Sequence, residues 1–190
     1  MNGGLQVRAS FKGVVLASAL VLFVGACAAL QRITGRVATA TVTLNDVAGA
    51  PRGTALLWQD LEGNVTIELR GLGLPPTTKG IHFHAVGRCD NEGAGQFATA
   101  GPHFNPEGRR HGLSSTDGPH AGDLPNITVR ADGSVNVDIT TGRVTLTDGS
   151  RSLFDADGAA LIIHAQADDQ LTDPAGNSGA RIACGVVRLR

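Results

Sequence analysis

Apolar and polar residues alternate with a period of two in three stretches: Ala38-Thr39-Ala40-Thr41-Val42-Thr43-Leu44, Val65-Thr66-Ile67-Glu68-Leu69-Arg70 and Val135-Asn136-Val137-Asp138-Ile139-Thr140. Successive strand side chains point to opposite faces, so each stretch predicts a β-strand with one buried and one solvated face. Turn signals at Glu62-Gly63-Asn64, Ala131-Asp132-Gly133 and Asp148-Gly149 punctuate them. Residues 54–59, 81–85, 127–130, 161–165 and 182–189 are further strand candidates. Beyond residue 35 no long stretch keeps a helical period. The pattern predicts an all-β domain, an antiparallel β-barrel or sandwich of about eight short strands. Two segments interrupt it: residues 86–124, long, Gly-rich and His-bearing, and residues 166–180, polar with Gly, Asp and Pro. Long loops inside a compact domain are usually functional.

The first 27 residues read differently. Arg8 and Lys12 form a positive start, residues 13–24 are apolar but short for a bilayer span, and Val24-Gly25-Ala26-Cys27 ends the run. This is the pattern of an export signal. An apolar residue, two small ones and Cys resemble a bacterial lipoprotein cleavage site, which would make Cys27 the lipidated terminus and tie the protein to a membrane. The plainer reading is an ordinary signal cut near Ala26 or Ala28. The expected organisation is a signal segment (1–27), a tether (28–35) and one domain (36–190), exported to the periplasm or cell envelope. The whole chain carries a formal charge of −1, and removing residues 1–27, which hold two basic residues and no acids, leaves −3. No basic patch points to nucleic acid. Cys27 aside, Cys89 and Cys184 remain, and two cysteines in an exported domain more often pair than stay free.

All six histidines, His82, His84, His103, His111, His120 and His164, lie beyond residue 80. In Gly80-Ile81-His82-Phe83-His84 the two imidazoles fall on one strand face and can share a transition metal, while Ile81 and Phe83 face the core. A lone His-x-His also occurs on surface strands. The long loop adds His103, His111, His120 and Asp123, and three imidazoles with a carboxylate make a closed zinc site. The alternative is a flexible loop with solvated histidines. His164 ends the apolar run Leu161-Ile162-Ile163, where a solitary His is more often a hydrogen-bonded sheet residue than a ligand.

Four motifs then converge on one family. Gly80-Ile81-His82-Phe83-His84, Ala100-Gly101-Pro102-His103-Phe104-Asn105-Pro106, His120-Ala121-Gly122-Asp123-Leu124 and Gly176-Asn177-Ser178-Gly179-Ala180-Arg181-Ile182-Ala183-Cys184-Gly185-Val186 closely resemble the copper–zinc superoxide dismutases, in order and across residues 36–190. The resemblance implies a Greek-key β-barrel enzyme that disproportionates superoxide to dioxygen and hydrogen peroxide, with copper and zinc as cofactors. It implies copper ligands His82, His84, His103 and His164, and zinc ligands His103, His111, His120 and Asp123, with His103 shared. It makes Asp168 the carboxylate accepting hydrogen bonds from His82 and His111, Cys89 and Cys184 a disulfide, and Arg181 the channel arginine that meets the anion. A homodimer is left open, since dimer contacts vary among relatives. Two further readings stand beside it: a copper-carrying or chaperone relative with little turnover, and a metal-storage surface domain. Departures from the pattern are Ala85, where relatives carry an acid or amide, Arg88, where a small or acidic residue is usual, and a 166–180 loop holding Asp168, Asp169 and Asp173 but no Lys or Arg. The last weakens the expectation of strong electrostatic steering. Arg88, Arg109 and Arg110 are the candidate substitutes.

Overall fold

The computed structural model describes Met1 and residues 35–91 and 96–190 of the chain. The chain divides at Gly35/Arg36, and the second unit, Arg36–Arg190, carries the fold. The expected signal segment, Cys27 and the expected tether up to Thr34, Met1 apart, lie outside the described residues.

Among the described residues ten strands follow in order: β1 (Arg36–Asp46), β2 (Pro51–Asp60), β3 (Val65–Gly71), β4 (Thr77–Lys79), β5 (Ile81–His84), β6 (Ile127–Val129), β7 (Val135–Thr141), β8 (Ala160–His164), β9 (Arg181–Val186) and β10 (Arg188–Leu189). One short 3₁₀ turn, Ala98–Ala100, precedes the His103 segment. Eight strands form one antiparallel sheet in the order β5-β8-β9-β1-β2-β3-β7, with β10 also paired to β1; β4 and β6 make a separate pair. β1, β2 and β3 are joined by short turns, whereas the β3/β7 and β9/β1 neighbours are distant in sequence, the Greek-key kind of connection. The all-β antiparallel expectation holds.

The period of two is obeyed where it was read. Ala40, Val42 and Leu44 of β1, Ala55 and Leu57 of β2, and Val65, Ile67 and Leu69 of β3 are buried in one core with Leu124, Leu153 and Leu161. β5 and β8 differ: every residue of both is buried, on both faces. Several boundaries differ from the expectation: β2 begins at Pro51, β8 ends at His164 and β9 begins at Arg181. β5 stops at His84 and β6 at Val129, where Arg130 N–H turns to Ser134 O. The 182–189 run breaks at Val187, whose N–H leaves the ladder for Ala159 O. β4 has no alternation to announce it.

The two interrupting segments become the β5–β6 and β8–β9 loops. The first folds back on β5: Ala85 N–H donates to Pro102 O, Phe104 N–H to Phe83 O, Phe83 N–H to Gly122 O and Gly122 N–H to Phe104 O. The loop thus pairs His84 with His103 and His82 with Asp123, and covers an edge that would otherwise be open.

Candidate metal centre

β5 and β8 are hydrogen-bonded neighbours, with His82 opposite Ile162 and His84 opposite Ala160, and His164 ends β8 opposite Arg181. Pairing with β5 adds His103 from the loop. His82, His84, His103 and His164 are all buried, with ring centroids 4.0 Å apart for His82–His103, 4.8 Å for His82–His164 and 4.9 Å for His84–His103. One ligand atom from each lies within 4.8 Å of the others. Each ring fixes one nitrogen on the protein. His82 Nε2 lies 2.7 Å from Asp168 Oδ2, His84 Nδ1 2.9 Å from Gly101 O, His103 Nδ1 2.9 Å from Asp123 Oδ1 and His164 Nδ1 3.1 Å from Gly179 O. The remaining nitrogens, His82 Nδ1, His84 Nε2, His103 Nε2 and His164 Nε2, are buried with no hydrogen-bond partner. Buried polar atoms normally find partners, so four converging orphan nitrogens fit the ligand set of a cation.

A second cluster shares His103. The Nδ1 atoms of His103, His111 and His120 lie 2.9, 3.1 and 3.3 Å from the same oxygen, Asp123 Oδ1. Its other oxygen accepts from Gly112 N–H at 2.8 Å and His120 N–H at 3.0 Å, and its backbone carbonyl accepts from Arg143 Nη2 at 2.6 Å. Three imidazoles and one carboxylate suit zinc. Asp168 joins the clusters: Oδ2 faces His82, and Oδ1 lies 3.0 Å from His111 Nε2. Asn126 holds Asp168 by its backbone, accepting from its N–H at 2.9 Å and donating to its carbonyl at 2.7 Å. Gly176 is required here. Its φ is +61°, and a Cβ would overlap the Asp168 carboxylate and His111 Nε2.

The protonation of these groups follows from burial and their partners. Burial, with the charges of neighbouring imidazoles, holds His84 well below the ordinary imidazole range and His164 at about 3. Burial also lowers His103 to about 4, against the pull of Asp123. Burial disfavours the His111 cation too, but hydrogen bonds to Asp123 and Asp168 outweigh it and raise His111 to about 9. Burial would raise Asp123, but hydrogen bonds from His103 and His111, with the His120 ring beside them, hold it far below the carboxylate range, and Asp168 is lowered by His111 and His82 in the same way. In the metal-free protein a proton on His111 therefore balances two buried carboxylates.

Arg181 lines an open cleft of about 560 Å³ with Gln96, Ala98, Gly101, Pro102, Gly179 and Ala180, and is the one charged side chain among them. Its Nη1 donates to Phe97 O at 2.7 Å and its Nη2 to Gly101 O at 2.6 Å, the carbonyl that also fixes His84. Phe97 takes up φ 55°, rare for a non-glycine, in presenting its carbonyl. Arg88 pairs with Asp90 and Arg109 lies near Glu107; neither lines the cleft. The loop carboxylates are engaged locally, Asp169 Oδ1 by the N–H groups of Leu171 and Thr172 and Asp173 Oδ1 by His111 N–H. Cys89 and Cys184 are disulfide-bonded, tying the long loop to β9 beside Phe97, Ala100 and Ile162. Ligand candidates named from sequence thus meet in two adjoining clusters. The groups that aim them, the Gly101, Gly179 and Phe97 carbonyls and Arg143, went unnamed, because backbone carbonyls leave no signal in a sequence.

The sequence profile of the copper/zinc superoxide dismutase (SODC) family matches residues 51–187. This chain belongs to that family. Two curated relatives from Aquifex aeolicus, Superoxide dismutase [Cu-Zn] 2 and Superoxide dismutase [Cu-Zn] 1, are each 46% identical, over 131 and 142 residues, covering 68% and 74% of this chain and 75% and 82% of theirs. The crystal structure of a SOD-like protein from Bacillus subtilis superposes with a TM-score of 0.72 at 38% identity, over 77% of this chain and 96% of the other. The family supports a superoxide dismutase-type function for this chain.

Proposed function

We propose that this chain converts two superoxide anions and two protons to one dioxygen and one hydrogen peroxide. The observation that carries this reading is the set of four buried imidazole nitrogens, on His82, His84, His103 and His164, that converge without partners. An all-imidazole set suits copper, and the adjoining set on Asp123 suits zinc. Copper bound to the first set would supply the one-electron redox change that dismutation needs, with zinc, which has no redox chemistry, shaping the loop.

The chain's own residues supply the rest. Arg181 has five N–H donors, and the two carbonyls it meets leave others for a small anion entering the cleft. A permanent charge there orients superoxide beside the four imidazoles. His103 is the candidate proton carrier: its Nδ1 is fixed at Asp123, and its Nε2 would carry a proton towards the peroxide only while that nitrogen is not holding copper. Asp168 fixes the rings of His82 and His111 together, so the two clusters keep their relative orientation. Lone among the lining side chains in its charge, Arg181 gives modest rather than strong steering.

The domain is exported and held at a membrane by lipid on Cys27, with domain limits at residues 27 and 35. Replacing Cys27→Ala should release the protein from membranes; continued retention would remove the anchor. The main experiment loads metal-free protein with copper and zinc and follows superoxide decay. Turnover abolished by His164→Ala is expected. Binding of both metals without turnover would favour a copper-carrying role, the alternative to which the likeness to a SOD-like protein draws notice.

A further inference from the structure

His164 is anchored differently from the other three rings of its cluster. His82 and His103 face carboxylates and His84 faces Gly101 O at 2.9 Å, whereas the contact from His164 Nδ1 to Gly179 O, at 3.1 Å, is the longest of the four. It also sits at a strand end, where the β8/β9 register shifts between Ile163 and His164. A second group meets the same nitrogen. Ser178 Oγ lies 3.1 Å from His164 Nδ1 and 2.9 Å from Ala175 O, and Ser178 is 1% exposed.

The proton directions follow. A carbonyl only accepts, so the Ser178 hydroxyl proton goes to Ala175 O, and Oγ turns a lone pair towards His164 Nδ1. Gly179 O can likewise only accept. Both contacts require the proton on Nδ1 and leave the lone pair on Nε2, the orphaned atom. Ser178 is itself held in place: its N–H donates to Ala175 O and its carbonyl accepts from Gln166 N–H. Gly80 beside it leaves the room; a Cβ there would come to 3.0 Å from Ser178 Cβ.

We propose that Ser178 is a positioning residue for copper. With Gly179 O it clamps His164 as the Nδ1–H tautomer through a shared hydrogen bond, and so governs how tightly the fourth imidazole holds the metal. The 166–180 loop then orients two rings of the copper-type cluster, His82 through Asp168 and His164 through Ser178, besides His111 of the other. The copper consequence rests on the functional reading above.

The test compares the full chain with Ser178→Ala, which removes one oxygen. In zinc-loaded, copper-free protein, nitrogen-15 NMR should show His164 protonated at Nδ1; in the variant that proton's signal should shift and exchange with water about 10-fold faster. After copper addition, copper release should accelerate about 10-fold and the Cu(II) EPR hyperfine splitting should change, with zinc affinity and Tm held. Unchanged exchange, release and EPR would overturn the proposal. Equal losses of copper affinity, zinc affinity and Tm would also overturn it, by making Ser178 merely structural. Copper-loaded parent protein inert towards superoxide would refute the enzymatic reading and leave these arms intact.

Discussion

The two halves of the metal centre are built by opposite means. Three of the four imidazoles of the copper-type half stand on strands, and the groups that anchor the four rings are divided between two loops, Gly101 and Asp123 on the β5–β6 loop and Asp168 and Gly179 on the β8–β9 loop. β5 and β8 are packed on both faces, so the rings are placed by the same sheet ladder and core that fold the domain. The zinc-type half draws all four of its ligand candidates from one loop, and all three imidazoles lean on one oxygen of one residue. The first half is placed by the ladder and the core. The second is arranged around Asp123, and without zinc the nearest stand-in for the cation is the proton on His111.

The largest effect should come from removing that single support. Asp123→Ala should lower zinc affinity at least about 100-fold and leave residues 103–123 open to proteolysis, while some copper activity survives. Equal zinc affinity would contradict the loop-centred account. His164→Ala should do the reverse, abolishing turnover while zinc affinity stays within about 3-fold. A common loss of both metals in that variant would erase the distinction between the halves. Arg181→Ala should slow superoxide consumption about 10-fold and flatten its salt dependence with copper still bound. An unchanged rate would take the arginine out of the cleft's chemistry.

The pH dependence of metal-free protein gives a smaller effect. His84, His103 and His164 have folded values below the ordinary imidazole value of 6.5, so the unfolded chain binds more protons than the folded one as pH drops below 6.5. Stability should therefore fall between pH 6.5 and about 4. His111 acts oppositely: raised to about 9, it contributes stability below pH 6.5 that is lost as pH rises through 9. With three groups on the acid flank against one on the alkaline, Tm should drop more steeply towards acid. A flat acid flank would contradict the burial of neutral imidazoles. Zinc added near pH 7 should release a proton from His111, measurable as buffer-dependent heat.

Much of this was legible beforehand, for uneven reasons. Alternation announced β1, β3 and β7, because one face of each meets the core and the other meets solvent. The His82-x-His84 pair was legible because a strand puts alternate residues on one face. β4 was not, since three residues after Pro75-Pro76, with a buried Lys79, carry no period. Lys79 keeps its place by donating Nζ to Ala165 O, beside His164, a contact between residues 86 apart. Arg143 reaches Asp123 O across 20 residues, and Gly101 O serves both His84 and Arg181. Such contacts depend on where the fold brings a backbone carbonyl, and no local pattern encodes that. The lone Arg181 in its cleft shows a further limit: the lysine-free loop was visible, but the local hydrogen bonding of its carboxylates was not.

The central claim is that His103 is shared by two unlike metal ions, one held by strands and one by a loop. The most direct measurement is anomalous diffraction at the copper and zinc edges on crystals of protein loaded with one equivalent of each. The account predicts copper among His82, His84, His103 and His164, and zinc among His103, His111, His120 and Asp123, with the His103 ring between them. A single ion, or two ions with His103 bound to neither or to only one, would contradict it.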